Sequence, residues 1–358
     1  MTEVYLRILA PGLWAYSINW TITSFLQSIE MSDIPAWAAF VGFSMHIPFN
    51  ILFVNILEFG YEGVAMATVM FQLVQPFINC IYLFGTEYGK ERLLEGCGAK
   101  AIGRNHLSFW PEMKVAVGSL NGIKQYLSLA LPGIVMISEW WASECAIFLS
   151  GKLTPDPDYS LGAMSIYQTI LSFFFMFPMG ISIACSSRVG MHLGMNEPKE
   201  AQLSSTVGVI LAGLVSGIGG LILFCAPHSL FPSLFSPDEK LVNLSSELMP
   251  MLALYVFADG VQAALSGIVK GCGRQSLVMP IVVVAYWIVG LPLAYYNVFH
   301  KYGGTTECGE GFSTCGVQGM VFGMTTGTWT HFLLLAFVFS ITINWKEEAT
   351  KAQARVTQ

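Results

Sequence analysis

Nine long hydrophobic stretches recur along the chain and restrict its fold more than any other feature of the sequence. Each is long enough to cross a hydrocarbon core of roughly 30 Å as a helix. Because backbone polar groups in lipid must be bonded within the segment, we expect helices. The sequence therefore predicts an all-α, polytopic transmembrane helical bundle with nine spans. The predicted spans are residues 5–28, 36–57, 63–85, 125–150, 161–186, 203–227, 247–270, 277–298 and 316–344.

The composition agrees with a membrane protein and argues against an enzyme. Hydrophobic residues make up 54% of the chain and charged residues only 11%, whereas a soluble domain carries about 25% charged residues. The sequence contains no phosphate-binding Walker loop and no nucleic-acid-binding motif. We therefore expect no enzymatic activity, no cofactor and no nucleic-acid partner, and the lipid bilayer is the predicted environment.

The basic residues indicate the orientation of the spans. If the spans alternate, thirteen of the 17 Lys and Arg residues fall on one side. Loops rich in Lys and Arg stay in the cytoplasm, so residues 86–124 and the tail after Lys346 are predicted to be cytoplasmic. Cys308 and Cys315 then share an outer loop, where a disulfide can form in an oxidising compartment. Two free thiols are the alternative for this pair.

An internal repeat predicts the domain organisation. The pairs with one constant offset are Leu9 and Leu248, Pro11 and Pro250, Leu13 and Leu252, and Tyr16 and Tyr255. Residues 1–86 thus look like the counterpart of residues 245–344, and the three spans within 122–240 have no partner upstream. The prediction is a partial N-terminal lobe of three spans (1–86), a cytoplasmic linker loop (87–121), a C-terminal lobe of six spans (122–345) and a cytoplasmic tail (346–358).

Four motifs resemble the multidrug and toxic compound extrusion (MATE) family of the eukaryotic type. They are "LALPGIVMISEWWASE", "SSRVGMHLGMNEPKEA", "GIVKGCGRQ" and "TINWKEEATKAQ". The chain departs from the family at Met191, where asparagine is usual, and the family's first three transmembrane helices have no counterpart. The resemblance implies two six-helix lobes around a central cavity. It also implies efflux of organic molecules, usually cations, driven by protons or sodium.

Three acids interrupt the predicted spans, namely Glu139, Glu144 and Asp259. An acid at a helix centre costs on the order of 2.5–3.5 kcal/mol on insertion scales, which favours a functional role. Glu139 and Glu144 point about 140° apart on a helix, so they do not face one cavity squarely. The resemblance implies that Glu139 lines the cavity and that Asp259 matches an acid of the family's tenth helix. For Glu144, lining the cavity and bonding a neighbouring helix are both open.

Aromatic and amide side chains supply further candidates for a substrate site. Trp140 and Trp141 can each add a cation–π face, with packing as the alternative for both. Adjacent residues of a helix project about 100° apart, so we expect at most one of the two to serve. Tyr167 and Gln168 are candidates for lining the same cavity. His331 lies in the last span and is interpreted as a packing histidine. No metal-ligand spacing occurs, so no metal site is predicted.

These features predict a secondary active antiporter that exports organic cations, xenobiotics or metabolites in exchange for protons or sodium. Organic cations and protons would compete for the same buried carboxylates. One alternative is a non-transporting truncated isoform or fragment of such a transporter, and a lipid-linked substrate flippase is another. We expect a monomer in the plasma membrane or in a vacuolar or other organelle membrane.

Overall fold

The computed structural model describes residues 2–96, 109–307 and 314–356, and these residues are overwhelmingly helical. Within these ranges no strand forms, and Thr154 and Thr305 make an isolated β-bridge. The chain divides into two compact units, Met1–Ser119 (unit 1) and Leu120–Gln358 (unit 2). The boundary falls inside the predicted linker, which contains two short helices; the predicted lobes themselves stay a prediction.

Unit 1 is a set of hydrophobic helices with a small apolar core. It contains α1 (Thr2–Ser28), α2 (Asp33–Asn50), α3 (Gly60–Cys80), α4 (Glu87–Gly96) and α5 (Phe109–Gly118), and π-helical segments at Ile51–Ile56 and Ile81–Gly85 continue α2 and α3. Gly63 allows α3 to approach the first π-helical segment, because a Cβ there would lie 2.8 Å from the backbone oxygen of Phe53. Leu26, Met31 and Leu83 belong to the apolar core.

Unit 2 is built around one central helix. Its helices are α6 (Leu120–Ser150), α7 (Pro157–Gly194), α8 (Pro198–Cys225), α9 (Glu239–Ser246), α10 (Met249–Gly271), α11 (Gln275–Val282), α12 (Leu291–Tyr295), α13 (Gly316–Thr342) and α14 (Trp345–Val356). Two π-helical segments, Val283–Gly290 and Tyr296–Lys301, flank α12. In the hydrophobic stretch of α10, 89% of the residues are buried, so α10 lies at the centre of the unit.

Small residues let α10 approach α7 closely. A Cβ at Gly267 would lie 2.2 Å from the backbone oxygen of Ser182, a distance that no side chain tolerates. The Ser182 hydroxyl donates to the backbone oxygen of Ala263 at 2.7 Å, which fixes the same helix pair. Close backbone approach and interhelical hydrogen bonds drive helix association in lipid, where burial of apolar surface supplies little.

The terminal helix α14 is anchored by a buried carboxylate. Glu348 is 1% exposed, and its Oε1 lies 3.4 Å from Arg274 Nη1 and 3.2 Å from Lys351 Nζ. The Arg274 guanidinium also donates to the backbone oxygen of Thr342 at 3.1 Å. This cluster joins α14 to the turn between α10 and α11.

Helices form in all nine predicted spans, and the all-helical, multi-span fold class is confirmed. In the described part of the chain, seven helices are long and apolar enough to cross a membrane by length and composition. They are Asp33–Ile56, Gly60–Gly85, Pro157–Gly194, Pro198–Cys225, Met249–Gly271, Gln275–Lys301 and Gly316–Thr342. The helices α1 and α6 are not among them; α6 carries Glu139 and Glu144. The count of nine spans therefore stays a prediction.

Candidate functional site

Glu139 on α6 and Asp259 on α10 line one pocket within unit 2. The pocket has a volume of about 20 Å³, which is room for about one water molecule. Its lining residues are Glu139, Trp140, Ser143, Gln168, Leu171, Phe175, Tyr255 and Asp259. The sequence-based prediction thus contributes four residues of this pocket, and three helices, α6, α7 and α10, bring them together.

An amide side chain joins the two acids. The Gln262 Nε2 donates to Asp259 Oδ1 at 3.0 Å, and it lies 3.5 Å from Glu139 Oε2, at the limit of a hydrogen bond. Gln262 stands three residues after Asp259, so both project from one face of α10. Gln262 is 1% exposed and Asp259 is 7% exposed. Both carboxylates therefore share one buried neutral donor, and Glu139 is the more exposed of the two acids.

A buried histidine approaches Glu139 from α13. The Nδ1 of His331 lies 3.4 Å from Glu139 Oε2, which is within ion-pair distance. The contact does not meet hydrogen-bond geometry, and neither ring nitrogen of His331 has a hydrogen-bond partner in the described residues. The His331 ring packs edge-on against Tyr286 with centroids 5.7 Å apart. His331 is thus buried beside the acid and not in a purely apolar environment.

The aromatic candidates divide between the pocket and its surroundings. Trp140 lines the pocket and packs edge-on against Phe175, with ring centroids 5.4 Å apart. Trp141 is 52% exposed and faces away. Tyr167 is buried and does not line the pocket. Its ring packs edge-on against the pocket residue Tyr255, with ring centroids 6.4 Å apart. Trp140 is therefore the tryptophan of this motif that can meet a ligand.

The structure separates the two glutamates of α6, as the helical spacing predicts. Glu139 is half-buried and lines the pocket, whereas Glu144 is exposed and is not among the lining residues. Residues five apart on a helix point about 140° away from each other. The structure thus brings Glu139 and Asp259 together and leaves Glu144 on the outer side of α6.

Sequence reasoning missed Gln262 and the approach of His331 to Glu139; His331 does pack against Tyr286, as a packing histidine would. Gln262 carried a usable signal, since a polar residue three positions after a buried acid faces the same way. His331 carried the signal that ionisable residues inside spans usually face the interior of the bundle. Its distance from Glu139 in sequence hid the contact between them. The role of each site residue stays a prediction.

Two further predictions concern a disulfide between Cys308 and Cys315 and the lack of a metal site. Cys315 is disulfide-bonded, but Cys308 lies outside the described residues, so the pairing of the two stays a prediction. In the described ranges no cluster of three or more His, Cys, Asp or Glu side chains could hold a metal ion.

Part of the chain matches a known protein family. The MatE family model matches residues 132–296, a region that includes Glu139 on α6 and Asp259 on α10. Both acids of the pocket therefore lie inside the region that the family model describes.

Plant proteins are similar to this chain, one of them over nearly its whole length. Protein DETOXIFICATION 29 of Arabidopsis thaliana is 29% identical over 350 residues, which is 97% of this chain and 63% of the relative. Protein DETOXIFICATION 14 of the same plant is 31% identical over 243 residues, 68% of this chain and 47% of the relative. The chain spans about two thirds or less of the length of these relatives.

Solved structures share the fold. The crystal structure of the eukaryotic MATE transporter AtDTX14 superposes with a TM-score of 0.82 at 24% identity, and the match covers 98% of this chain and 71% of that one. An outward-facing multidrug resistance MATE family transporter of the MOP superfamily gives a TM-score of 0.68 at 15% identity, covering 99% and 70%. At these identities the likeness shows the fold alone.

Proposed function

Since the chain belongs to the multidrug and toxic compound extrusion (MATE) family, we propose that it is a secondary antiporter that exports organic cations in exchange for protons. The chain is a multi-span helical membrane protein, and its relatives are transporters and not enzymes. What we propose is the substrate class, organic cations, and the coupling ion, the proton.

The observation that carries the proposal is the pair of acids that share one amide. Glu139 Oε2 and Asp259 Oδ1 lie 3.5 and 3.0 Å from the same Gln262 Nε2. Two carboxylates this close, with little water, disfavour the state in which both are ionised. Neutralising charge must come from a proton or from a cationic ligand. Because either one removes the need for the other, their binding is mutually exclusive, and that is the basis of exchange.

The aromatic wall of the pocket suits an organic cation. The Trp140 ring beside Glu139 can attract a cation by its π face, worth about 0.5–2 kcal/mol depending on desolvation. Leu171 and Phe175 add apolar surface for the organic part of the ligand. A pocket of about 20 Å³ is too small for such a molecule, so the cation must enter a state in which α6 and α7 have moved apart. Alternation between a closed and an open pocket is the motion that an antiporter needs.

Uptake by vesicles tests this function. Purified protein in liposomes would be given a fluorescent organic cation, ethidium, under an imposed pH gradient or, separately, a sodium gradient. We expect the pH gradient to drive uptake and Glu139→Gln to reduce the rate at least about tenfold. Glu200→Gln is the control, because Glu200 is exposed on α8 and not among the lining residues. Uptake that follows only the sodium gradient, or that survives in Glu139→Gln, would contradict the proposal.

A further inference from the structure

His331 is a buried polar residue whose ring nitrogens have no hydrogen-bond partner in the described part of the chain. It is 1% exposed, and neither of its ring nitrogens accepts or donates a hydrogen bond there. A buried polar atom without a partner is unfavourable, so such groups call for an explanation. An apolar side chain of similar size would fill the same space on α13 without this cost. Packing alone therefore does not account for a histidine at this position.

The polar atom that the ring approaches belongs to Glu139. The separation of 3.4 Å between His331 Nδ1 and Glu139 Oε2 exceeds the usual hydrogen-bond length by a few tenths of an ångström. Glu139 also has only a long contact, 3.5 Å, with Gln262, whereas Asp259 has a normal one of 3.0 Å. Asp259 is thus held firmly, and Glu139 is held loosely between two donors. A small movement of the Glu139 side chain completes its bond to either donor.

The helices that pack against α13 carry the other titratable groups to be considered. They are Glu139 on α6, Tyr167 on α7, Tyr255, Asp259 and Lys270 on α10, and Tyr286 on Val283–Gly290. Tyr286 contacts the ring itself, but its hydroxyl is bonded to Thr328 Oγ1 at 3.2 Å. Tyr255 and Tyr286 lie within electrostatic range of both acids. Among these groups Glu139 is the one within ion-pair distance of an imidazole nitrogen.

We propose that His331 is a positioning residue that holds the ionised Glu139 through its Nδ1–H. When Glu139 is ionised, a small movement of its side chain lets the imidazole donate from Nδ1–H to Glu139 Oε2, which keeps the carboxylate turned toward α13. When Glu139 takes a proton or a cationic ligand, it no longer needs this donor and the contact lengthens. His331 therefore influences when Glu139 can bind a proton or a cationic ligand. The purpose of this contact rests on the proposed function. The approach of His331 to Glu139 does not, because it is present in the site without any ligand.

Infrared spectroscopy on the purified protein in lipid nanodiscs tests the inference without substrate. The carbonyl band of a protonated carboxyl reports each buried acid, and loss of a band in Glu139→Gln assigns that band to Glu139. In His331→Leu the pH midpoint of the Glu139 band should move upward by about one unit, a tenfold change in proton affinity, because the donor to the ionised form is gone. His331→Asn keeps an amide donor near Nδ1 and should restore most of the wild-type midpoint.

Two controls separate positioning from packing. Leu335 is fully buried one turn along α13, so Leu335→Ala loosens the same helix without removing a polar contact and should leave the midpoint unchanged. If His331→Leu does not fold, ¹⁵N-histidine spectra of the wild-type protein replace it. The His331 Nδ1 signal, assigned by its loss in His331→Asn, should shift in Glu139→Gln.

The outcomes distinguish this inference from the proposed function. A Glu139 midpoint that is the same in wild type and His331→Leu, or an Nδ1 signal that ignores Glu139→Gln, overturns the role of His331. A shifted midpoint supports it even if the protein fails to bind tetraphenylphosphonium, a result that would count against the proposed function alone. If binding occurs, its affinity should fall about tenfold in His331→Leu and recover in His331→Asn.

Discussion

Each unit contains a network of polar side chains between its helices, and the two networks differ in kind. In unit 1, amides join α1 and α3: Asn19 Nδ2 donates to Gln75 Oε1 at 2.7 Å, and Asn79 Nδ2 donates to Asn19 Oδ1 at 3.0 Å. In unit 2, an amide joins two acids, with Gln262 between Glu139 and Asp259. Both networks link helices across the interior of their unit, but only the second can change its charge.

The difference limits what each network can do. Amides keep the same charge at every pH, so the unit 1 network can hold helices together but cannot respond to a proton gradient. Carboxylates are more costly to bury than amides, and that cost is difficult to explain by packing alone. Of the two networks, the one in unit 2 is therefore where we expect a response to protons.

The largest expected effect comes from making the unit 2 network resemble that of unit 1. Asp259→Asn turns the acid into an amide of the same shape, so the fold should persist while proton-driven export falls to background. The measurement is ethidium uptake by vesicles under a pH gradient, with thermal unfolding as a check on folding. Asn19→Ser in unit 1 is the control, because it removes a neutral contact and should retain export. Export by Asp259→Asn at the wild-type rate would end the distinction between the two networks.

The next largest effect concerns ion pairs. Glu348→Ala should lower the free energy of unfolding by about 3 kcal/mol, because it leaves the half-buried Arg274 without its buried partner. In unit 1 the Arg7–Glu3 pair is 77% and 76% exposed, so Glu3→Ala should cause no measurable change. Thermal and chemical unfolding in one detergent would compare the two variants. Equal losses would show that burial does not separate these pairs.

A reciprocal substitution in unit 1 should have a somewhat smaller effect. Asn79 is 1% exposed, and Asn79→Asp places a carboxylate where Asn19 offers no positive charge. We expect a loss of about 2 kcal/mol at neutral pH, since a buried unpaired charge is unfavourable. The loss should shrink in acid, where the new carboxyl is protonated. A variant equally stable at pH 5 and pH 8 would show that this part of unit 1 is open to water.

The smallest effect lies outside the spans, at the start of α9. The Tyr159 hydroxyl and the backbone N–H groups of Leu241 and Lys240 donate to Asp238 and hold the pKa of that carboxyl below its usual value. A lowered pKa stabilises the fold above the ordinary value near 4, and this contribution is lost as pH falls through the folded value. Asp238→Asn keeps a helix-capping side chain, so its melting temperature should fall less than that of the wild type below about pH 4. The same acid-induced loss in both proteins would contradict the assignment.

The fold was more predictable than the site because the two depend on different information. The length of each hydrophobic stretch is enough to predict a helix. The π-helical segments at Ile51–Ile56 and Val283–Gly290 lie within such stretches and do not interrupt them. Helical spacing also separated Glu139 from Glu144 correctly. Contacts between distant helices have no local signature, and for that reason the approach of His331 to Glu139 was not predicted. The short helices α4 and α5 were missed because they are mixed in polarity.

The most direct test of the central claim, that the unit 2 acids exchange a proton for a cation, is a count of protons released on binding. Titration calorimetry of the purified protein with tetraphenylphosphonium, in two buffers of different ionisation enthalpy, gives this number. We expect close to one proton released per cation in the wild type and close to none in Asp259→Asn. Cation binding without proton release, or release that is unchanged in both Glu139→Gln and Asp259→Asn, would contradict the claim.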